Sequence, residues 1–292
     1  MVFQDVLNRY QDYLQDKGKT KKTSHCYRTD VDWLIKIFSI QDLNAFSSLS
    51  ARSIQKQLGC FELSTQRRKM AGLESFFKFL SEKESISCNF DLQRPKNVTK
   101  QLTYLSQEAY SMLRQIKISR DDQVNIKNLA LLDVLYGSGI KVSTASALNW
   151  EQINLKKNYL KNLEGYVRTV PLSQESQKSF KAYKQTVQNR ASACFLNDED
   201  KRIATGGIHR KIRDYGERIG IPLSPTVLRR SYLFRLMAEE KSCEEVFNLM
   251  GYDPSGKYCY STAYSYLKRI FPQMKALEPQ PLHPSPQPQL LH

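Results

Sequence analysis

The sequence predicts a mainly α-helical chain with one small β-sheet, an α+β fold in two domains. Three observations carry that prediction. Apolar residues recur at helical spacing over most of the chain. A single stretch, "INLKKNYLKNLEGYVRTVPLS" from Ile153 to Ser173, alternates like a hairpin. A polar segment broken by Pro95, "CNFDLQRPKNVTKQL", separates two helical blocks.

In the first block, residues 1–92, "VFQDVLNRYQDYLQDKG" puts Val2, Val6, Tyr10 and Leu14 on one stripe and ends at Gly18. "TKKTSHCYRTDVDWLIKIF" follows, with Thr23 or Ser24 as its cap and Tyr27, Val31, Leu34 and Ile35 as its apolar face. A third helix is expected near Ser50 to Leu58. The fourth, "STQRRKMAGLESFFKFLSEK", has Ser64 as predicted N-cap, buries Met70, Leu73, Phe76, Phe77 and Leu80, and exposes Arg67, Arg68 and Lys69 in its first turns. The linker is placed at 93–104.

The second block, residues 105–275, opens with a helix capped by Ser106. A buried helix, a Gly137-Ser138-Gly139 break and a further helix lead to the β candidate. There, runs around Tyr159–Leu163 and Tyr166–Val170 are separated by Glu164-Gly165, a two-residue turn signal. Helices resume with "SQESQKSFKAYKQTV". "CFLND" is a short extended piece, and "GGIHRKIRDYGERIGI" is a basic amphipathic helix. "SPTVLRRSYLFRLMAEEKS" then starts an apolar helix with two adjacent cations, Arg229 and Arg230. Residues 276–292, "ALEPQPLHPSPQPQLLH", are too rich in Pro and Gln to build a core and are expected to be a disordered tail.

Charge narrows the partner. Against 44 Lys and Arg stand 29 Asp and Glu, a formal surplus of +15 over 292 residues. Such a surplus favours a polyanion, with double-stranded DNA first, because each neutralised phosphate releases condensed counterions. A surplus serving only solubility is the bland alternative. No apolar run is long enough for a membrane span, and no signal-peptide pattern or lipid signal is evident, so a cytoplasmic location is expected. The six cysteines lie scattered without metal spacing. They read as reduced thiols, and no metal or other cofactor is expected.

Five stretches, in order, resemble the tyrosine recombinases, the phage-integrase and Xer-type group. "LSTQRRKMAGLESFFKFL" is similar to the signature helix of that family's helical, SAM-like core-binding domain. "YGSGIKVSTASALNWEQINL" resembles its first catalytic box, "VRTVPLS" the strand after its hairpin lysine, "LSPTVLRRSYLFRLM" its second box, and "FNLMGYDPSGKYCYS" the segment leading to its nucleophilic tyrosine. The resemblance spans about residues 2–270. It implies a core-binding DNA clamp followed by a catalytic-type domain. It also implies the family's chemistry, in which a tyrosine attacks a DNA phosphate to form a 3′-phosphotyrosyl bond without a metal, and two arginines hold the non-bridging oxygens.

Carried over position by position, that resemblance gives a degenerate constellation. Arg229 keeps the second arginine. Lys141 replaces the first, giving a point charge in place of a planar fork, and Thr144 replaces the carboxylate three residues later. Thr226 stands where a histidine is usual; its hydroxyl can hydrogen-bond a phosphate but cannot exchange a proton near pH 7. Tyr252 takes the place of the third-box His or Trp. The hairpin lysine falls on Leu163, while Lys161, two residues earlier, keeps the same side of a strand. Family spacing from Tyr252 reaches Ser261, and a one-residue gap makes Tyr260 the expected nucleophile ahead of Tyr258 and Tyr264.

Arg67, Arg68, Lys69, Arg210, Lys211 and Arg230 are the expected DNA-backbone contacts. The sequence therefore points to a DNA-binding member of the family with weak or lost strand cleavage, acting in or alongside recombination. It is expected to act as a homo- or hetero-oligomer with an active recombinase. A working recombinase cleaving through Tyr260 is one alternative. A non-catalytic protein-interaction module that kept the fold is the other.

Overall fold

The computed structural model describes residues 3–88, 91–95, 102–187, 192–252 and 280–283. The chain forms two compact units, Met1–Thr99 and Lys100–His292. Its described residues are mostly helical with little sheet.

In the first unit, helices α1 (Phe3–Asp16), α2 (Lys21–Ile37), α3 (Ala51–Leu58) and α4 (Leu63–Lys83) surround an aromatic core. Tyr10 lies edge-on to Phe76 at 5.0 Å between ring centroids, and Phe46 meets Phe76 at 5.3 Å. Val6, Tyr10, Leu14, Val31, Leu34, Met70, Leu73 and Leu80 are buried on the predicted stripes. The caps differ from expectation. Thr20, not Thr23 or Ser24, caps α2 by accepting from the Thr23 N–H at 3.2 Å. Helix α4 already starts at Leu63, after Glu62, so Ser64 lies within its first turn. The close crossing of α2 and α4 explains Gly72: a Cβ there would stand 2.9 Å from Asp30 Oδ2.

In the second unit, α6 (Asp122–Ser138) is the central helix, with Ala130–Leu132 and Val134–Tyr136 all buried. A helix apolar on every side belongs in the middle of a core. It packs on α8 (Gln174–Thr186) and α10 (Pro225–Ala238). The break predicted at Gly137-Ser138-Gly139 is a C-cap: α6 runs through Ser138 and stops at Gly139, whose φ of 61° is left-handed. Helices α5 (Gln107–Leu113), α7 (Val142–Ala147), α9 (Thr205–Arg218) and α11 (Cys243–Leu249) complete the helical shell.

Strands β2 (Ile153–Asn154), β3 (Tyr159–Leu160) and β4 (Val170–Pro171) form an antiparallel sheet in the order β2-β3-β4. Glu164-Gly165 does form the predicted short turn, closed by the Tyr166 N–H donating to the Leu163 carbonyl at 3.1 Å, but it does not join paired strands. Strand β3 ends at Leu160, its register to β4 pairs Leu160 with Val170, and residues 161–169 form a folded loop. Two features open it. Leu163 turns into the core at 4% exposure, and Asn162 and Gly165 adopt positive φ of 52° and 76°. "CFLND" contributes one isolated bridge, Leu196 with Arg202, and Ala193 just before it bridges Asn149.

A second pair of strands, β1 (Thr103–Leu105) and β5 (Gln280–Leu282), runs parallel. Residues 280–282 therefore depart from the disordered tail expected for 276–292. Their backbone finds partners on β1, and Pro281 is tolerated because the strand lies at a sheet edge. The remainder of the tail lies outside the described residues. No helix among the described residues is long and apolar enough to cross a membrane. The described residues also hold no cluster of three or more His, Cys, Asp or Glu suited to a metal ion.

Candidate nucleic-acid interface

Helix α10 is built to present Arg229. Ser224 caps it, accepting from the Val227 N–H at 3.3 Å, and Pro225 supplies the first-turn φ. Val227, Leu228, Ser231 and Tyr232 are buried. The Ser231 hydroxyl donates to the Val227 carbonyl and accepts the Leu105 N–H, each at 2.8 Å, which ties α10 to β1. Successive helical residues diverge by about 100°, so the two adjacent arginines part. Arg229 turns inward and is 7% exposed. Arg230 stays half-buried, and its Nη2 reaches Thr103 Oγ1 at 3.4 Å.

Around Arg229 the structure gathers residues far apart in sequence. Its Nη2 donates to the Tyr252 hydroxyl at 2.8 Å, while Nη1 is buried with no hydrogen-bond partner among the described residues. No carboxylate pairs with the guanidinium among those residues. Tyr252 is fully buried, and its ring stacks on Tyr166 with centroids 5.2 Å apart and planes at 23°. The Tyr166 hydroxyl accepts the Lys141 N–H at 3.1 Å and the Thr144 hydroxyl at 3.5 Å. Loop 161–169 holds Tyr166 there, because the Val167 and Arg168 N–H groups both donate to the Gly251 carbonyl, at 3.0 and 3.2 Å.

The electrostatics follow from burial beside an unbalanced cation. Burial works against the charge on Arg229, but Tyr252 and Tyr166 outweigh it and raise its pKa. Burial pushes the Tyr252 phenol well up. For Tyr166, burial again pushes upward, yet the Arg229 charge and the hydrogen bonds from Thr144, the Lys141 N–H and Tyr252 prevail and leave it below the ordinary phenol value. The two stacked tyrosines are thus shifted in opposite directions, Tyr252 upward and Tyr166 downward.

Lys141 precedes α7 and, with Thr144, Gln152, Leu163, Glu164 and Gly165, lines a cleft of about 530 Å³ beside Tyr166. Leu163, at the position of the family's hairpin lysine, is buried in the core. Lys161 is half-buried, and its ammonium makes no ion pair or hydrogen bond among the described residues. Thr226 is exposed near the start of α10. Tyr260, with Tyr258, Ser261 and Tyr264, lies outside the described residues. On α9, Arg210 is exposed and Lys211 half-buried.

The three cations of α4 do not share one solvent face. Lys69 was expected at the surface but is 6% exposed. Its Nζ sits 4.3 Å from the Trp33 ring centroid, 4.8 Å from that of Phe61, and 3.3 Å from Asp30 Oδ1. Two rings and a fully buried carboxylate draw it inward. Arg68 keeps 43% of its side chain exposed while pairing with the same Asp30. Arg67 donates to the Pro95 carbonyl, its Nε at 3.1 Å.

Sequence reasoning missed Tyr166 and Asp30. Tyr166 stood as an ordinary strand residue, and only the folding of loop 161–169 brings it to Arg229. Asp30 had one available signal, a lone acid on the buried side of α2.

The chain as a whole is similar to known proteins. Residues 104–257 match the model of the phage integrase family. The chain is 30% identical over 277 residues to tyrosine recombinase XerC of Natranaerobius thermophilus, covering 85% of this chain and 91% of that protein. It is 25% identical over 266 residues to tyrosine recombinase XerC of Herpetosiphon aurantiacus, covering 85% and 87%. Among solved structures, a lambda integrase dimer bound to a COC′ core site superposes with a TM-score of 0.66 at 16% identity, covering 92% of this chain and 77% of that one. XerH site-specific recombinase bound to a palindromic difH substrate gives 0.65 at 16% identity, covering 87% and 78%.

Proposed function

The chain belongs to the phage integrase family, and from that premise we propose that it binds double-stranded DNA through phosphate contacts centred on Arg229, with strand cleavage weak or lost. It acts in or alongside DNA recombination, as a homo- or hetero-oligomer with an active recombinase. The observation that carries the reading is the state of Arg229: a guanidinium more than nine-tenths buried, faced by two phenols, with Nη1 unpartnered among the described residues. A buried cation lacking a counter-charge is costly. A phosphate arriving from outside supplies the missing charge, and a guanidinium can meet two of its oxygens. The surplus of +15 provides the wider field for a polyanion.

Weak cleavage follows from what stands at the other positions. Loss of one transition-state donor costs roughly 3–4 kcal/mol, and several are altered here. Lys141 offers a point charge. Thr226 cannot exchange a proton. The buried Leu163 can neither hold a phosphate nor protonate a leaving oxygen. Phosphate binding uses many cations, so it survives these losses.

Two measurements on the full chain test the proposal. A gel-shift titration on duplex DNA is expected to show affinity falling steeply with salt; salt-insensitive or absent binding rejects the DNA reading. A nicked duplex carrying the binding site is expected to trap little or no covalent adduct. An abundant adduct, abolished by Tyr260→Phe, establishes instead a working recombinase with Tyr260 as nucleophile.

A further inference from the structure

The Tyr166 hydroxyl is an oxygen ringed by donors. The Lys141 N–H approaches it at 3.1 Å and the Thr144 hydroxyl at 3.5 Å. Arg229 and the Tyr252 hydroxyl act on it from the stacked side. An oxygen so surrounded is in the environment that an oxyanion seeks, because each donor points at concentrated negative charge. No carboxylate among the described residues shares the Arg229 guanidinium, so the phenols are its internal counter-groups.

We infer that Tyr166 is a latch: its hydroxyl holds the seat of a DNA phosphate oxygen beside Arg229, and the duplex engages this site only by displacing it. This deepens the DNA-binding reading and rests on it. The fold supplies the means. Tyr166 sits on loop 161–169, outside any strand, and the cleft of about 530 Å³ next to it is lined by that loop together with Lys141 and Thr144. The ring's seat is set by the two N–H bonds to the Gly251 carbonyl and by the stack on Tyr252, neither of which uses the hydroxyl. Tyr166→Phe therefore removes the competing oxygen while leaving ring and loop in place.

The test is a double-mutant cycle on the full chain, read by fluorescence anisotropy with a labelled mixed-sequence duplex at low salt. Folding of each variant is checked by thermal melting. Tyr166→Phe is expected to bind roughly tenfold tighter, the scale of one hydrogen bond to a charged group no longer competed for. In an Arg229→Gln background the same change is expected to make no difference, because the latch acts through that guanidinium. The other cations keep binding measurable there. Unchanged or weaker binding by folded Tyr166→Phe overturns the latch. A gain that persists with Arg229→Gln does so too, since a merely structural effect would not depend on Arg229. If neither wild type nor Tyr166→Phe binds duplex, the DNA reading itself falls and the latch with it. Wild-type binding with no gain for Tyr166→Phe removes the latch alone.

Discussion

The Tyr252 hydroxyl accepts a 2.8 Å hydrogen bond from Arg229 Nη2, joining the residue after the Gly251 turn to the first turns of α10. This bond fixes one arm of the guanidinium and leaves Nη1 buried and unpartnered among the described residues. It orients the cation without neutralising it, since a phenol kept protonated by burial contributes an oxygen dipole and no charge.

Arg229 is therefore expected to serve binding at the expense of folding. Arg229→Gln keeps a shorter amide near Tyr252 and removes a buried charge. Duplex affinity is expected to fall at least tenfold at moderate salt, with a shallower salt slope. The melting temperature of the free protein is expected to stay level or rise, because an uncompensated buried cation no longer has to be desolvated. A large drop in melting temperature would show that Arg229 is a structural residue.

The tyrosines give a pH dependence of opposite signs. Burial raises the phenols of Tyr10, Tyr110, Tyr183, Tyr215 and Tyr252, and lifts Tyr232 to about 12. In the unfolded chain these lose protons near pH 10, where the folded chain retains them. Stability is thus full below about pH 10 and declines as pH rises beyond it. Tyr166, lowered from the ordinary value, does the reverse: the folded chain ionises first, so its contribution grows as pH approaches about 10 from below. An absorbance titration is expected to show one phenol ionising ahead of the rest in the native protein. Tyr166→Phe should erase that early step and leave the alkaline loss of melting temperature intact.

Much of α10 was legible from local rules. Ser224 and Pro225 mark its start, and helical spacing separates Arg229 from Arg230. The constellation around it was only half legible, for a physical reason. Loop 161–169 reads as a tight hairpin because Glu164-Gly165 is a good turn pair. The turn itself forms, but core burial of Leu163 and the left-handed Asn162 keep the residues beside it out of the strand ladder. Tyr166 is free to reach Arg229 because the strands stop short of that turn. Lys69 failed in the same way: one helix read alone gives a solvated cation, whereas Trp33, Phe61 and Asp30 come from other parts of the unit. Residues 280–282 were lost to composition, which says nothing about an edge offering backbone partners.

The buried triad of the first unit is expected to be structural and asymmetric. Asp30 is fully buried between Arg68 and Lys69. Asp30→Ala leaves the Lys69 ammonium buried against two rings with no carboxylate, a loss of roughly 3–5 kcal/mol. Lys69→Met keeps an unbranched stem against Trp33 and Phe61, and Asp30 retains Arg68. Its cost is expected to be much smaller. Chemical denaturation of the two variants checks the order; a larger loss for Lys69→Met would mean that the cation–π contacts outweigh the ion pair.

Gly251 is where backbone and site meet. Its φ of 76° is left-handed, and a Cβ there would stand 2.8 Å from both Tyr166 Cδ1 and Val170 Cγ2. Its carbonyl also holds the Val167 and Arg168 N–H groups that seat the loop. Gly251→Ala must strain the turn, costing roughly 1–3 kcal/mol, and must also push the Tyr166 ring from its stack. The two effects separate by combination. Tyr166→Ala removes one of the two clashing side chains, so Gly251→Ala is expected to cost less in that background than in the wild type, with the remaining loss coming from φ and Val170. Thermal melts of the four chains in the cycle provide the measurement. Strictly additive losses would mean that the loop relaxes away from Gly251 freely, and that Tyr166 is not held against Tyr252 by this turn.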